Sequence, residues 1–292
     1  MENLRGALLM TAAMLGFAIE DMLIKFLTAS VPLGMVLVFL GTGGALVFAT
    51  LALLRGDKLL SRDLLARSVV IRNTGELVGT VGFVTAIALT PLSSASAILQ
   101  ATPLVVTLGA ALFLGEQVGW RRWSAILAGF AGVLLIIRPG FDAFEPFSLF
   151  ALLGVLGLAV RDLATRTVPR AITSLQLSAY AFAITVPAGF GILAFTGDVM
   201  RWPVGVEWLL IGAAMTVAVV AYAAIVAAMR MGDVAVITPF RYSRLVFALI
   251  FGVTFFGEEP DAITLAGSAL IVASSIYTFW REARLRRQAA RG

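Results

Sequence analysis

Polar residues are scarce along this chain and fall in clumps. Between the clumps lie apolar stretches of about 20 residues, the length a helix needs to cross the hydrocarbon core of a bilayer. Ten can be marked: 4–26, 32–54, 68–89, 93–114, 120–138, 147–166, 174–196, 206–229, 234–256 and 262–281. The breaks between them carry charge or turn residues, as in RGDKLLSRD, TPLSS, GEQVGWRR, RPGFDAFEP and GEEPDA. Within each stretch the apolar residues are continuous and do not alternate, which argues for helices and against a β-barrel. Most breaks are short, so neighbouring helices run antiparallel. The run 6–19 has the form of a signal-peptide core, but its segment resembles an internal one and is read as retained.

Composition sharpens the class. Of 292 residues 60% are hydrophobic and 13% charged, with a mean hydropathy of +0.98; soluble domains carry about 25% charged residues. The chain has no cysteine and no histidine. Disulfides, thiol chemistry and imidazole or thiolate metal sites are therefore excluded, and neither metal nor cofactor is expected. The net charge of +5 reads as loop charge, with no nucleic-acid partner. If both termini are cytoplasmic, inside loops and tails hold fifteen Lys and Arg residues and outside loops only Arg138 and Arg201. That asymmetry is the positive-inside pattern, and it supports an even number of spans.

The two halves echo each other. GFAIEDMLIK begins at Gly16 and GLAVRDLATR at Gly157. LGE at 114–116 pairs with FGE at 256–258, and LAG at 127–129 with LAG at 265–267. The order is the same in both halves, which points to duplication. Five helices per unit is an odd number, so the second unit enters the membrane from the opposite side, an arrangement common among secondary transporters. The expected fold is thus an all-α integral membrane protein, ten helices in two inverted five-helix repeats around a central cavity. The units are 1–142 and 143–283, followed by a basic cytoplasmic tail, 284–292.

The segment ASAILQATPLVVTLGAALFLGEQVGWRRWSAILAGFAGVLLI, 95–136, resembles the EamA-type domain of the drug/metabolite transporter superfamily. The proline after a small-residue stretch, the Gly-Glu a dozen residues on and the glycine-rich next helix carry the likeness. FALIFGVTFFGEEPDAITLAGSALIVASSIY reads as the second copy, although Leu245 stands where the first has Pro103 and Pro239 comes earlier. Ninth-helix geometry is therefore not expected to copy the fourth. Within the superfamily the chain looks most like the YddG-type amino-acid exporters. The resemblance implies export of amino acids, aromatic or bulky apolar, or related metabolites across a bacterial inner membrane by alternating access.

Charges inside spans cost about 2.5–3.5 kcal/mol at the bilayer centre, so they pair or face water. Asp21 with Lys25, and Asp162 with Arg166, are spaced for i,i+4 pairs. They read either as interfacial anchors or as gates on opposite faces, with Glu20 beside the first and Arg161, a candidate substrate-binding residue, at the equivalent place beside the second. Arg72 and Glu76 form another such pair, read as a permanent ion pair or as a proton-coupling site with Glu76 near a substrate amine. Gly79 continues that face. Arg241 and Arg244, just after Pro239, are candidates to bind a carboxylate, with Gln100, Phe83, Tyr222 and Tyr242 in the wall. Within spans, Lys25, Arg72, Arg161, Arg241 and Arg244 outnumber Glu20, Asp21, Glu76 and Asp162 by one. A zwitterionic or carboxylate-bearing solute would supply the missing charge. An intramembrane enzyme lacks its histidines, paired aspartates or P-loop here, so the chain is read as no enzyme. A channel or sensor stays open, as do monomer and homodimer.

Overall fold

The computed structural model describes residues 2–59, 62–115, 119–140, 144–169, 171–229 and 237–289. Glu116 of the first Gly-Glu motif, the basic residues Arg170 and Arg230, the proposed boundary at 142/143 and the last residues of the basic tail lie outside them. Among the described residues the chain is helical throughout, without strands.

The first unit contains α1 (Glu2–Thr28), α2 (Leu33–Leu54), α3 (Arg67–Leu89), a broken rod made of α4 (Leu92–Leu99) and α5 (Thr102–Phe113), and α6 (Trp120–Ile137). The second contains α7 (Ser148–Thr165), α8 (Ser174–Thr196), α9 (Val206–Met229), a 3₁₀ turn Thr238–Tyr242 running into α10 (Ser243–Phe256), and α11 (Ala262–Ala289). Eight of these ten rods are long and apolar enough to span a membrane. The other two are α3, which carries Arg67, Arg72 and Glu76, and α11, whose apolar part is Ala262–Thr278.

Helix starts and stops follow local chemistry. Pro32 and Pro91 precede α2 and α4, where a missing N–H removes no helical bond. Thr173 opens α8 with a full capping box: its hydroxyl accepts from the Gln176 amide, and the Gln176 side chain accepts from the Thr173 N–H. Gly197 and Gly257 end α8 and α10 in the left-handed conformation.

The most extensive contacts join α3 to α7, α2 to α8, α1 to α9 and α6 to α11. Each joins one repeat to the other. Exchanging every rod of the first repeat for its counterpart in the second maps this set onto itself: the α1–α9 and α3–α7 pairs trade places, and the other two return to themselves. This is a pseudo-two-fold arrangement. The glycines where the axis passes show it residue by residue. A Cβ on Gly34 would strike the Gly189 carbonyl, and one on Gly189 would strike the Gly34 carbonyl. Gly132 and Gly267 stand in the same reciprocal relation between α6 and α11. Gly75, Gly79 and Gly82 of α3 lie against Gly157, Leu158 and Gly154 of α7, an antiparallel seam in which the backbones touch. Small residues permit such contact where lipid supplies no hydrophobic drive between helices.

Both broken rods resume α-helix at corresponding places, Thr102 and Ser243. Pro103 lies in the first turn of α5, and Pro239 lies in the 3₁₀ turn before α10. The sequence difference between the copies therefore changes the lead-in, α-helical in one and 3₁₀ in the other, but leaves the position of the break unchanged. Gln100, at the first break, donates from its amide to the carbonyl of Arg241 at the second, 3.4 Å away.

Candidate functional site

Charged side chains of α1, α3, α7 and α10 form two groups. In the first, Asp21 of α1 receives a bidentate grip from Arg244 of α10, Nε at 2.9 Å and Nη2 at 2.7 Å. The Arg244 guanidinium also lies over the rings of Phe17 and Phe83, at 5.3 and 5.4 Å from their centroids. In the second, Glu76 of α3 sits between Arg72 at 2.9 Å and Arg161 of α7 at 3.2 Å. Arg161 in turn binds Asp162 at 2.8 Å, and Arg72 donates to Asn73 and to the Leu177 carbonyl of α8. The Arg72–Glu76 pair takes the i,i+4 geometry read from its spacing.

Other expected pairings give way. Asp21 and Lys25 do not pair, because Arg244 occupies the carboxylate. Lys25 turns instead to the carbonyls of Ile87 and Thr90, at 3.1 and 2.6 Å, and to Glu258 at 3.8 Å. Glu258 also caps α4, accepting from the Leu92 and Ser93 amides at 2.5 and 3.0 Å and from the Ser93 hydroxyl at 2.6 Å. Phe26 packs on Phe256 behind this latch, with centroids 4.7 Å apart. Asp162 is likewise taken by its neighbour Arg161, while Arg166 stands at the C-cap of α7.

These contacts revise the charge count. Glu258 belongs to a connecting loop by sequence, yet it neutralises Lys25. The single excess positive charge read from the spans is therefore absent, and four bases face four acids. Three of those bases are paired. Arg241 is not: among the described residues its guanidinium has no hydrogen bond or ion pair. It is exposed, in electrostatic reach of Asp162 and Arg161 on α7 and of Arg244. Glu20 is its opposite. It has no ion pair among the described residues, and only Asp21 and Arg244 are within electrostatic reach.

Glu20 also lines a partly open cavity, with about 440 Å³ of unfilled space between its walls, open solvent included. One stripe from each of four helices forms its wall: Glu20 and Ile24 of α1; Leu37, Leu40 and Gly41 of α2; Glu76, Thr80 and Val84 of α3; and Ala181, Phe182 and Thr185 of α8. The Lys25–Glu258 latch begins at the residue after Ile24, at the end of the α1 stripe away from the N-terminus. Several residues expected in the wall sit elsewhere. Gly79 packs against α7, because the cavity-facing stripe of α3 runs through Glu76 and Thr80. Phe83 is buried beneath Arg244. Tyr242 is buried beside Ser275 of α11. Tyr222 receives a hydrogen bond from Ser178 at 3.0 Å and meets Phe48 edge-on. Gln100 is almost fully buried and holds the second break.

Sequence reasoning missed Glu258, Phe17 and the α2 and α8 walls. Glu258 had a signal: α4 begins after Pro91 with no capping side chain of its own, so its free amides needed an acceptor from elsewhere. The others are ordinary apolar residues with no local mark.

An all-helical bundle of two pseudo-symmetric units with ionic groups buried at its centre is the architecture of a membrane transporter. The EamA-like transporter family model matches residues 4–138 and again 146–280, and the chain belongs to that family. It is 29% identical over 212 residues to a riboflavin transporter of Rhizobium johnstonii, covering 73% of this chain and 70% of that one. It is 24% identical to an S-adenosylmethionine uptake transporter of Rickettsia felis over 66% of this chain and 64% of the other. Its likeness to the pseudopaline exporter CntI of Pseudomonas aeruginosa is 26%, over 93% and 94% of the two chains. The protein is thus a multi-pass membrane transporter for small molecules.

Proposed function

We propose that the chain is a secondary transporter exporting amino acids with bulky or aromatic side chains, or related zwitterionic metabolites, by alternating access. On this reading it lies in the bacterial inner membrane with both termini cytoplasmic, as the distribution of loop bases favours. The observation that carries the substrate class is Arg241. Among the described residues Arg72, Arg161 and Arg244 each have a carboxylate, and Arg241, exposed and in electrostatic reach of Arg161, Asp162 and Arg244, has none. A guanidinium so placed matches a substrate carboxylate, and the mainly apolar wall suits an apolar side chain. Earlier candidates change rank, since Arg244 and Glu76 are already neutralised inside the protein. The relatives are named for both uptake and export, so direction rests on the vesicle assay. In proteoliposomes at matched protein density, Arg241→Gln is expected to raise the half-saturating concentration of L-phenylalanine about tenfold to a hundredfold, the loss of one charge-assisted contact of about 1.5–3 kcal/mol. Parent-like transport by Arg241→Gln refutes the assignment.

A further inference from the structure

Among the described residues, one ionisable group in the cavity wall has neither a hydrogen bond nor an ion pair. Glu20 faces the cavity from α1, next to Asp21, a like charge. Arg244 is near, but its Nε and Nη2 bond Asp21, and among the described residues no hydrogen bond or ion pair joins it to Glu20. Across the cavity Glu76 is held by Arg72 and Arg161. The α2 and α8 walls present no charge, only apolar groups and the Thr185 hydroxyl. On its far side α1 meets α9 through Gly16 against Val217 and Ala221. A lone carboxylate in such surroundings is disfavoured until a proton or a cation neutralises it.

We propose that Glu20 is the exchange site of the cavity: it holds a proton when the cavity is empty and releases it when a substrate ammonium group ion-pairs with the carboxylate. One O–H bond breaks, one proton leaves to solvent and one ammonium takes its place, so the charge at the site stays balanced. The inference rests on the transporter reading and adds its energy source, since protons moving one way drive amine-bearing solute the other. Arg241 takes no part in this exchange and receives the carboxylate end of the solute. Arg244, neutralised by Asp21, lies in electrostatic reach of both poles.

Dicyclohexylcarbodiimide modifies protonated carboxyls in apolar surroundings, and peptide mass spectrometry reads which one. With the full chain in detergent at pH 7, modification is expected at Glu20 and not at Asp21 or Glu76. Phenethylamine, which keeps the ammonium and lacks the carboxylate, should slow it at least tenfold, and 3-phenylpropanoate should not. In weakly buffered solution, L-phenylalanine binding should release protons from the parent and none from Glu20→Gln, with Glu20→Asp restoring release as evidence of a folded site. An unmodified Glu20 in folded protein, modification that phenethylamine fails to slow, or undiminished release from Glu20→Gln overturns the proposal. If the parent does not bind L-phenylalanine, the substrate reading fails by itself, and the carbodiimide and phenethylamine measurements still decide Glu20.

Discussion

Asp21 and Arg244 are a structural pair, whereas the Arg241 guanidinium has no partner among the described residues, and the two arginines should respond differently to the same substitution. Arg244→Gln leaves a carboxylate with 3% side-chain exposure without its cation, a change worth about 3–5 kcal/mol of stability. Thermal unfolding in detergent should show that loss for Arg244→Gln and little for Arg241→Gln. The double variant Asp21→Asn with Arg244→Gln should lose less than the sum of the two single changes, because the second removes a charge already stranded. Additive losses would mean that the two side chains do not depend on each other. Local spacing made one pair legible, Arg72 with Glu76, because both partners sit on α3. It misassigned Asp21, whose partner lies 223 residues away in the other repeat. Spacing along one helix carries no information about an arginine that reaches the same carboxylate from another helix.

Among the helices, the latch of Lys25, Glu258 and Ser93 joins α1, the start of α4 and the turn after α10 at one end of the cavity. Two helices from the first repeat and one from the second meet there, so relative motion of the repeats must break it. Glu258→Ala should therefore open that end. With a single cysteine placed at Thr80 in this cysteine-free chain, an impermeant maleimide supplied from the side of Pro91 should react faster in the Glu258→Ala background. An unchanged rate would show that the latch does not limit entry. The helices themselves were legible in the sequence. Observed ends of α2, α3, α8 and α9 fall within a residue of those expected, because runs of apolar residues and turn residues are local signals. The break at Leu99 is marked by Pro103. The matching break before Ser243 lacks a proline at Leu245 and comes instead from the 3₁₀ turn at Pro239, which made it harder to place.

Over the whole molecule, the two repeats have no large interface that is not shared. One of the clamps between them is titratable. At the rim of the α6–α11 contact, Arg138 donates to both oxygens of Asp261 at 2.5 Å, and the Thr264 amide donates to the same carboxylate at 2.9 Å. These contacts hold the Asp261 carboxyl well below its ordinary value of 3.8. A depressed value means that the stabilisation is fully present above about pH 3.8 and disappears as the pH falls through the lower, folded-state value. The melting temperatures of the parent and Asp261→Asn should thus differ by a constant amount at neutral pH and converge only in strong acid. Because the pair is exposed, 0.5 M salt should shrink the difference. A gap that closes between pH 7 and 5 would point to some other group. The shared interfaces also bear on how the protein is made. Asp21 leaves the ribosome 223 residues before Arg244, an interval of roughly 10–45 seconds at about 5–20 residues per second. Through that time Asp21 lacks the guanidinium that pairs with it in the finished fold, and Glu76 has Arg72 but not yet Arg161. The membrane must keep this unfinished half in place until translation delivers the arginines that complete these carboxylates.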